Sequence, residues 1–275
     1  MHVVVTGASS GIGAALAREF ARTGSHVTVI ARRRDKLDAL ASEFPDRVNV
    51  IARDLSNPRD CTAWIAEAER AHGPIDVLVN NAGLQELGPL DEMRPERTEQ
   101  VLHLNLHVPL QISAAVIPAM LARKSGTIVD VASIAAFAPT PGITVYSASK
   151  AGLAAASEAL RGELRGTGVH VVTVYPGIIA DTEMGEAGLE KMKGDPSVRF
   201  VPQGTAAELA RRVRIAVERR RKRVIYPSSM VLSRWFPGIT RWVLDTFTPT
   251  MRAPKLESPK VEHTAADALN AGSAT

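Results

Sequence analysis

His2-Val3-Val4-Val5-Thr6-Gly7-Ala8-Ser9-Ser10-Gly11-Ile12-Gly13 is the stretch that decides the fold. Its valine run lacks any in/out alternation, which is how a strand buried on both faces reads. Glycines follow directly, and a helical pattern opens within them at Gly11. Such a turn lets the backbone approach a ligand closely. The helix behind it offers free N–H groups and a positive dipole end to an anion. The turn is therefore read as the diphosphate cradle of a dinucleotide. Its glycines are spaced four and then two apart, unlike the two-then-three of the common fingerprint. No Gly-Lys-Ser/Thr ending follows, which argues against a nucleoside-triphosphatase loop.

The pattern repeats along the chain. Apolar runs at 2–6, 26–31, 48–52, 75–79, 126–132, 169–175 and 223–226 read as strands. Helical stretches at 11–23, 35–43, 58–72, 97–122, 146–165 and 205–219 separate them. Strand-helix alternation implies an α/β fold, a doubly wound parallel sheet with helices on both faces. Thr205-Ala206-Ala207-Glu208 reads as a capping box. An apolar helical extension is expected over 228–250, and a disordered tail of Ala, Pro, Ser, Thr and charge over 251–275.

The 275 residues, 45% hydrophobic and 23% charged, suit an ordinary globular protein with a sizeable core. Cys61 is alone, so no intramolecular disulfide forms, in keeping with a reducing compartment. No signal peptide is visible, and no apolar run reaches the roughly 20 residues of a membrane span. A cytoplasmic protein, at most peripheral to a membrane, is expected. His103 and His107 lack a third ligand, so no metal site is expected. The basic run Arg219–Arg223 lacks the aromatic platforms of a nucleic-acid site.

Two further groups carry chemistry. At the end of the second strand an acidic residue would select NAD, whereas an arginine accommodates a 2′-phosphate. Here Arg32-Arg33-Arg34 follow Ala31, and no carboxylate appears before Asp35. NADP(H) is therefore expected over NAD(H), with Arg32 leading and Arg33 assisting. Downstream, Tyr146 and Lys150 share one helix face, and Ser133 lies thirteen residues upstream of the tyrosine. A lysine beside a phenol favours the phenolate and suits it to proton transfer.

The glycine loop, Asn80-Asn81-Ala82-Gly83, Asn105, Ser133, Tyr146/Lys150 and Pro176-Gly177 occur in this order on the expected elements. Together they resemble the short-chain dehydrogenase/reductase family over roughly residues 1–227. The resemblance implies a Rossmann-type NADP-binding catalytic domain there, working as a homodimer or homotetramer on a small-molecule substrate. It implies that Tyr146 is the general acid in reduction and the base in oxidation. Lys150 lowers its pKa and binds the nicotinamide ribose. Ser133 positions the substrate oxygen, and Asn105 interrupts its helix and holds a relay water. Gly7, Ser9, Ser10, Gly11, Ile12 and Gly13 take the diphosphate. Asp54 and Leu55 meet the adenine, and Asn81, Ala82 and Gly83 line the adenosine side. Pro176, Gly177 and Ile179 border the nicotinamide. The family often places a threonine five residues beyond the proline; here that position is Asp181, and Thr182 follows. Thr182 is taken as the carboxamide contact.

Residues 178–203, punctuated by Gly185, Gly188 and Gly194, resemble the family's mobile substrate lid. Beyond the last strand, Trp235, Phe236, Ile239, Trp242 and Phe247 flank a Pro237-Gly238 break. That segment walls the substrate pocket, forms a subunit interface, or lies on an anionic membrane through 219–247. The leading functional expectation is a carbonyl reductase or alcohol dehydrogenase for a lipophilic substrate. The alternatives are a 3-oxoacyl-thioester reductase, and a non-catalytic NADP-binding sensor or scaffold.

Overall fold

The computed structural model describes residues 1–57, 61–191 and 201–247. Seven strands form one parallel sheet: β1 (His2–Thr6), β2 (His26–Ala31), β3 (Val48–Ala52), β4 (Val77–Asn80), β5 (Gly126–Val131), β6 (Val169–Pro176) and β9 (Arg223–Tyr226). Their order is β3-β2-β1-β4-β5-β6-β9. Each is rich in valine or isoleucine because both its faces are covered. Two short strands, β7 (Ile178–Ile179) and β8 (Gln203–Gly204), pair separately.

Helices clothe both faces. On one, α1 (Gly11–Arg22) and α8 (Ala206–Glu218) bury Leu16, Phe20, Leu209 and Val213. On the other, α3 (Ile65–His72) and α5 (Val108–Ala122) pack Ala68, Ile112, Val116 and Met120 around Trp64 and Leu78. Short α2 (Arg34–Ser42) follows β2. The fold is the doubly wound α/β architecture that the alternating pattern predicts.

The helix expected over 97–122 is longer and is locally unwound. It comprises α4 (Pro95–Leu102), a π-helical turn over His103–His107, and α5. As a continuous rod, Pro95–Ala122 is long and apolar enough to cross a membrane by length and composition alone. Its Val101, Val108, Ile112, Val116 and Met120 are instead buried within the protein. Of the helix expected over 58–72, residues 61–64 are turns and the α-helix starts at Ile65; 58–60 lie outside the described residues. The capping box is half realised. Thr205 accepts from Glu208 N at 3.4 Å, but the Glu208 carboxylate turns to Arg211 and Arg212.

α6 (Thr144–Glu163) lies beside β6. The lid segment carries α7 (Glu183–Lys191); its Met192 and Gly194 lie outside the described residues. The extension forms α9 (Val231–Trp235) and α10 (Pro237–Phe247), divided at the expected Pro237-Gly238 break. Met230 and Leu244 pack on Ala132, Ile134, Ala138, Ala154 and Tyr175. The expected tail at 251–275 lies outside the described residues.

The buried hydroxyl of Thr6 joins β1 to β4. It donates to Val79 O at 3.2 Å and accepts from Asn81 N at 3.0 Å and Ala82 N at 3.1 Å. Thr6→Val keeps the shape but strands two amides. It is expected to lower stability by about 2 kcal/mol, within the usual cost of unsatisfied buried groups, in urea unfolding followed by circular dichroism.

Candidate active site

The β1 and β4 loops meet where the strand order reverses, the crevice that binds ligands in open α/β sheets. Gly7 has φ of +68°, and its N–H donates to Ile30 O at 2.7 Å. A Cβ on Gly13 would fall 2.3 Å from Gly7 O, so only glycine lets α1 start this close to the loop. Asn81 Nδ2 grips Thr6 O at 2.9 Å and Gly7 O at 3.2 Å. Ser10 stands at the N-cap without a side-chain cap bond, which leaves first-turn N–H groups for an anion. Ile12 packs against the core below.

The two arginines are placed differently from one another. Arg33, not Arg32, reaches over the glycine loop: Nη2 lies 2.6 Å from Ser10 Oγ and Nε 3.2 Å from Ser9 Oγ. Its Nη1 also meets the Glu183 carboxylate of α7 at 3.1 Å. Arg32 leans the other way, 4.0 Å from Asp54. Adjacent residues leaving a strand point to opposite sides, so only one of them can face the loop. Asp54 Oδ1 accepts from Ser56 N and Oγ at 2.9 and 2.7 Å. Burial pushes its pKa up, but those bonds and Arg32 outweigh this and hold it below the usual range. Leu55 beside it is buried.

At the ends of β5 and β6 the reactive groups converge. Ser133 caps the short turn Ile134–Ala136, its Oγ accepting from Ala135 N at 3.1 Å. Tyr146 and Lys150, one turn apart on α6, are only 8% and 5% exposed. Lys150 Nζ donates to Val131 O at 2.8 Å. Asn105, fully buried in the π-helical turn, clasps Leu84: Oδ1 accepts from its N at 2.7 Å and Nδ2 donates to its O at 2.8 Å. Nδ2 also donates to Ser149 Oγ at 3.0 Å. A Cβ on Gly83 would lie 3.0 Å from Asn105 Oδ1 and 3.5 Å from Lys150 Nζ, so its bare face leaves room beside the ammonium.

Burial lowers the Lys150 pKa to about 8, against a raising pull from Asp130. Burial raises the Tyr146 phenol, and Ser133, placed to hydrogen-bond it, acts in the opposite direction. The expected lowering of the phenol by Lys150 is therefore overridden here, because desolvation wins and the ammonium is turned onto Val131. Asp130 is the group that sequence reading missed. It is buried, receives Asn80 Nδ2 at 2.8 Å, and has its pKa raised by burial. Its signal was a lone carboxylate inside the apolar strand Gly126-Thr127-Ile128-Val129-Asp130-Val131.

Pro176 ends β6, and Gly177 N donates to Tyr226 O at 2.7 Å. Ile179 is buried. Thr182 comes close to the loop, its methyl 3.3 Å from where a Gly11 Cβ would stand. Its hydroxyl is committed elsewhere, donating to Ile179 O at 2.8 Å and accepting from Gly185 N at 3.0 Å at the start of α7. Asp181 instead accepts from Ala206 N at 2.9 Å. His103 and His107 stack at 5.2 Å, and no cluster of metal-ligating side chains occurs among the described residues.

Residues 1–193 match the short chain dehydrogenase family. The chain belongs to the short-chain dehydrogenase/reductase family. It is thus an oxidoreductase with a nucleotide-binding Rossmann-type fold. A short chain dehydrogenase of Pseudocercospora fijiensis is 38% identical over 188 residues, 66% of this chain and 60% of the fungal protein. This short-chain dehydrogenase thus matches three-fifths of that relative's length. The short-chain dehydrogenase from Sphingobium yanoikuyae in complex with NADPH superimposes with a TM-score of 0.75 at 32% identity, covering 92% of this chain and 98% of that one. The bulky-bulky ketone specific alcohol dehydrogenase from Comamonas testosteroni gives 0.72 at 28% identity, over 94% and 98%.

The buried Lys150 has a measurable signature. Its folded pKa lies near 8 and its unfolded value near 10.5. Between them the unfolded chain holds more protons, so stability rises with pH across this window. The gain from pH 8 to about pH 10 is expected to be about 2 kcal/mol relative to Lys150→Met, from urea midpoints. Parallel pH profiles for parent and variant would contradict the placement of Lys150.

Proposed function

We propose that the protein is an NADP(H)-dependent carbonyl reductase or alcohol dehydrogenase acting on a lipophilic small molecule. The observation that carries this reading is the convergence of Ser133, Tyr146, Lys150 and Asn105 beside a glycine cradle at the switch point. The cofactor fits the residues present. First-turn N–H groups of α1 suit a diphosphate, and Arg33 over Ser9 and Ser10 suits a 2′-phosphate. No acidic residue stands at Ala31 to select a free ribose hydroxyl. The similar Sphingobium enzyme carries NADPH, which supports the same cofactor here.

NADPH supplies the hydride when bound. Ser133 holds the substrate oxygen, and the Tyr146 phenol gives it a proton as charge develops there. The proton is restored through Lys150 and the Asn105 region, and oxidation runs the same path backwards. Lys150, beside the bare face of Gly83, also binds the nicotinamide ribose. Residues 1–227 carry all of these groups, with 228–247 as an appended helical extension; 248–250 of the expected extension lie outside the described residues. Ile134, lying against Gly177, gives the substrate side an apolar side chain. Leu102, Leu110 and Leu121, each more than a third exposed on α4 and α5, support a homo-oligomer.

Tyr146→Phe tests the reading. Turnover of ketone and aldehyde substrates is expected to fall about 100- to 10,000-fold, the usual share of general acid catalysis, while NADPH still quenches protein fluorescence at parental concentrations. In the parent, kcat/KM is expected to favour NADPH over NADH. Surviving turnover in the variant would overturn the mechanism, and a preference for NADH would overturn the cofactor assignment.

A further inference from the structure

Five large apolar side chains on the last two helices, Leu232, Trp235, Ile239, Trp242 and Val243, and Phe236 between those helices are each between 40% and 72% exposed. Scattered exposed apolar residues are ordinary, but a row this dense is not. The helices are seated on the body by other groups. Met230 and Leu244 pack inward, and Arg234 lies 5.7 Å above the Tyr175 ring and 3.7 Å from Glu158. On α10, Ile239, Trp242 and Val243 recur at helical spacing on one arc, while Arg241 and Asp245 pair with each other at 2.9 Å on another.

A cationic corner adjoins this face. Arg219, Arg220, Arg221 and Lys222 are exposed and form no ion pair among the described residues. A hollow of ≈ 390 Å³ is lined by Arg211, Arg212, Arg219, Arg221 and Arg223. Arg211 and Arg212 are tied to Glu208, and Arg223 to Glu158, which leaves Arg219 and Arg221 to meet an outside anion. A second hollow, of ≈ 600 Å³, shares Arg223 and Ile225 with the first and opens against Val231 and Trp235. The basic hollow thus runs directly into the aromatic face.

We propose that this surface docks on a bilayer containing anionic phospholipid. The anionic headgroup meets Arg219 and Arg221, and the tryptophans enter the boundary region, where their amphipathic rings are favoured. A second copy is a poorer occupant, because a two-fold contact would set the same cationic corner against itself. The remaining chain, 248–275, has few large apolar residues with which to cover the face.

The test is cosedimentation of the full chain with phosphatidylcholine vesicles, with and without phosphatidylglycerol. The parent is expected to bind the anionic vesicles and to release them as salt is raised. Arg219→Gln/Arg221→Gln is expected to weaken binding about tenfold or more, since each cation near the surface is worth about fivefold. Trp235→Ser/Ile239→Ser is expected to weaken it about tenfold or more through lost apolar burial. Should the apolar variant fail to fold, the charge variant decides alone. The proposal is overturned if the parent does not sediment with anionic vesicles, or if the folded variants bind like the parent. It is also overturned if the apolar variant drops to a smaller oligomer in sedimentation velocity without vesicles, since a second copy would then be what covers the face.

Discussion

An ammonium group nearly cut off from water rests on one backbone oxygen, Lys150 on Val131 O. That arrangement constrains everything around it. A buried charge is costly unless partnered, so its surroundings must supply polarity without water. The end of β5 supplies the carbonyl, and Asp130 one residue earlier supplies opposing charge. Asp130 is held in turn by Asn80, which also reaches Ser113. On the other side, Asn105 spends both ends of its amide on Leu84 and stands close to Gly83. The π-helical turn is what carries Asn105 inward from an otherwise regular helix pair. Pulling the lysine to about 8 leaves it able to exchange protons at cellular pH.

The sheet brings this cluster within reach of the glycine cradle. β1 and β4 are neighbours although five elements separate them in sequence, and Thr6 and Asn81 bind the two loop ends together. A crevice at that point is a consequence of connections leaving in opposite directions. Arg33 closes its rim by touching both the cradle serines and α7. The exposed Arg33–Glu183 pair contributes little stability.

Sequence reading goes far where a signal is local. The valine runs, most helix starts and the division at Pro237 each depend on neighbours in the chain, and these elements stand within about two residues of where their pattern places them; the helix read over 58–72, which starts at Ile65, does not. The site residues are legible by order and spacing, and the fold gathers Ser133, Tyr146, Lys150 and Asn105 at one end of the sheet. What escapes is direction. Arg32 and Arg33 are equal as letters, yet the backbone turns only Arg33 toward the loop. Thr182 reads as a free hydroxyl, but α7, invisible in a glycine-punctuated segment, recruits it. The phenol's raised pKa follows from burial, which no spacing encodes. Asp130 was legible as a misfit within its strand, although its partner, on the next strand over, was not.

The proposed chemistry rests on Tyr146 as proton donor: burial keeps its phenol weakly acidic in the free protein, and bound NADP+ must lower its pKa for it to serve at cellular pH. Only three tyrosines are present, Tyr146, Tyr175 and Tyr226, so their ionisation can be followed by ultraviolet difference spectroscopy and assigned against Tyr146→Phe. In the free protein the Tyr146 pKa is expected above the ordinary value of about 10, and it is expected to fall clearly on saturation with NADP+. A phenol already acidic in the free protein, or one unmoved by the dinucleotide, would contradict that role for Tyr146.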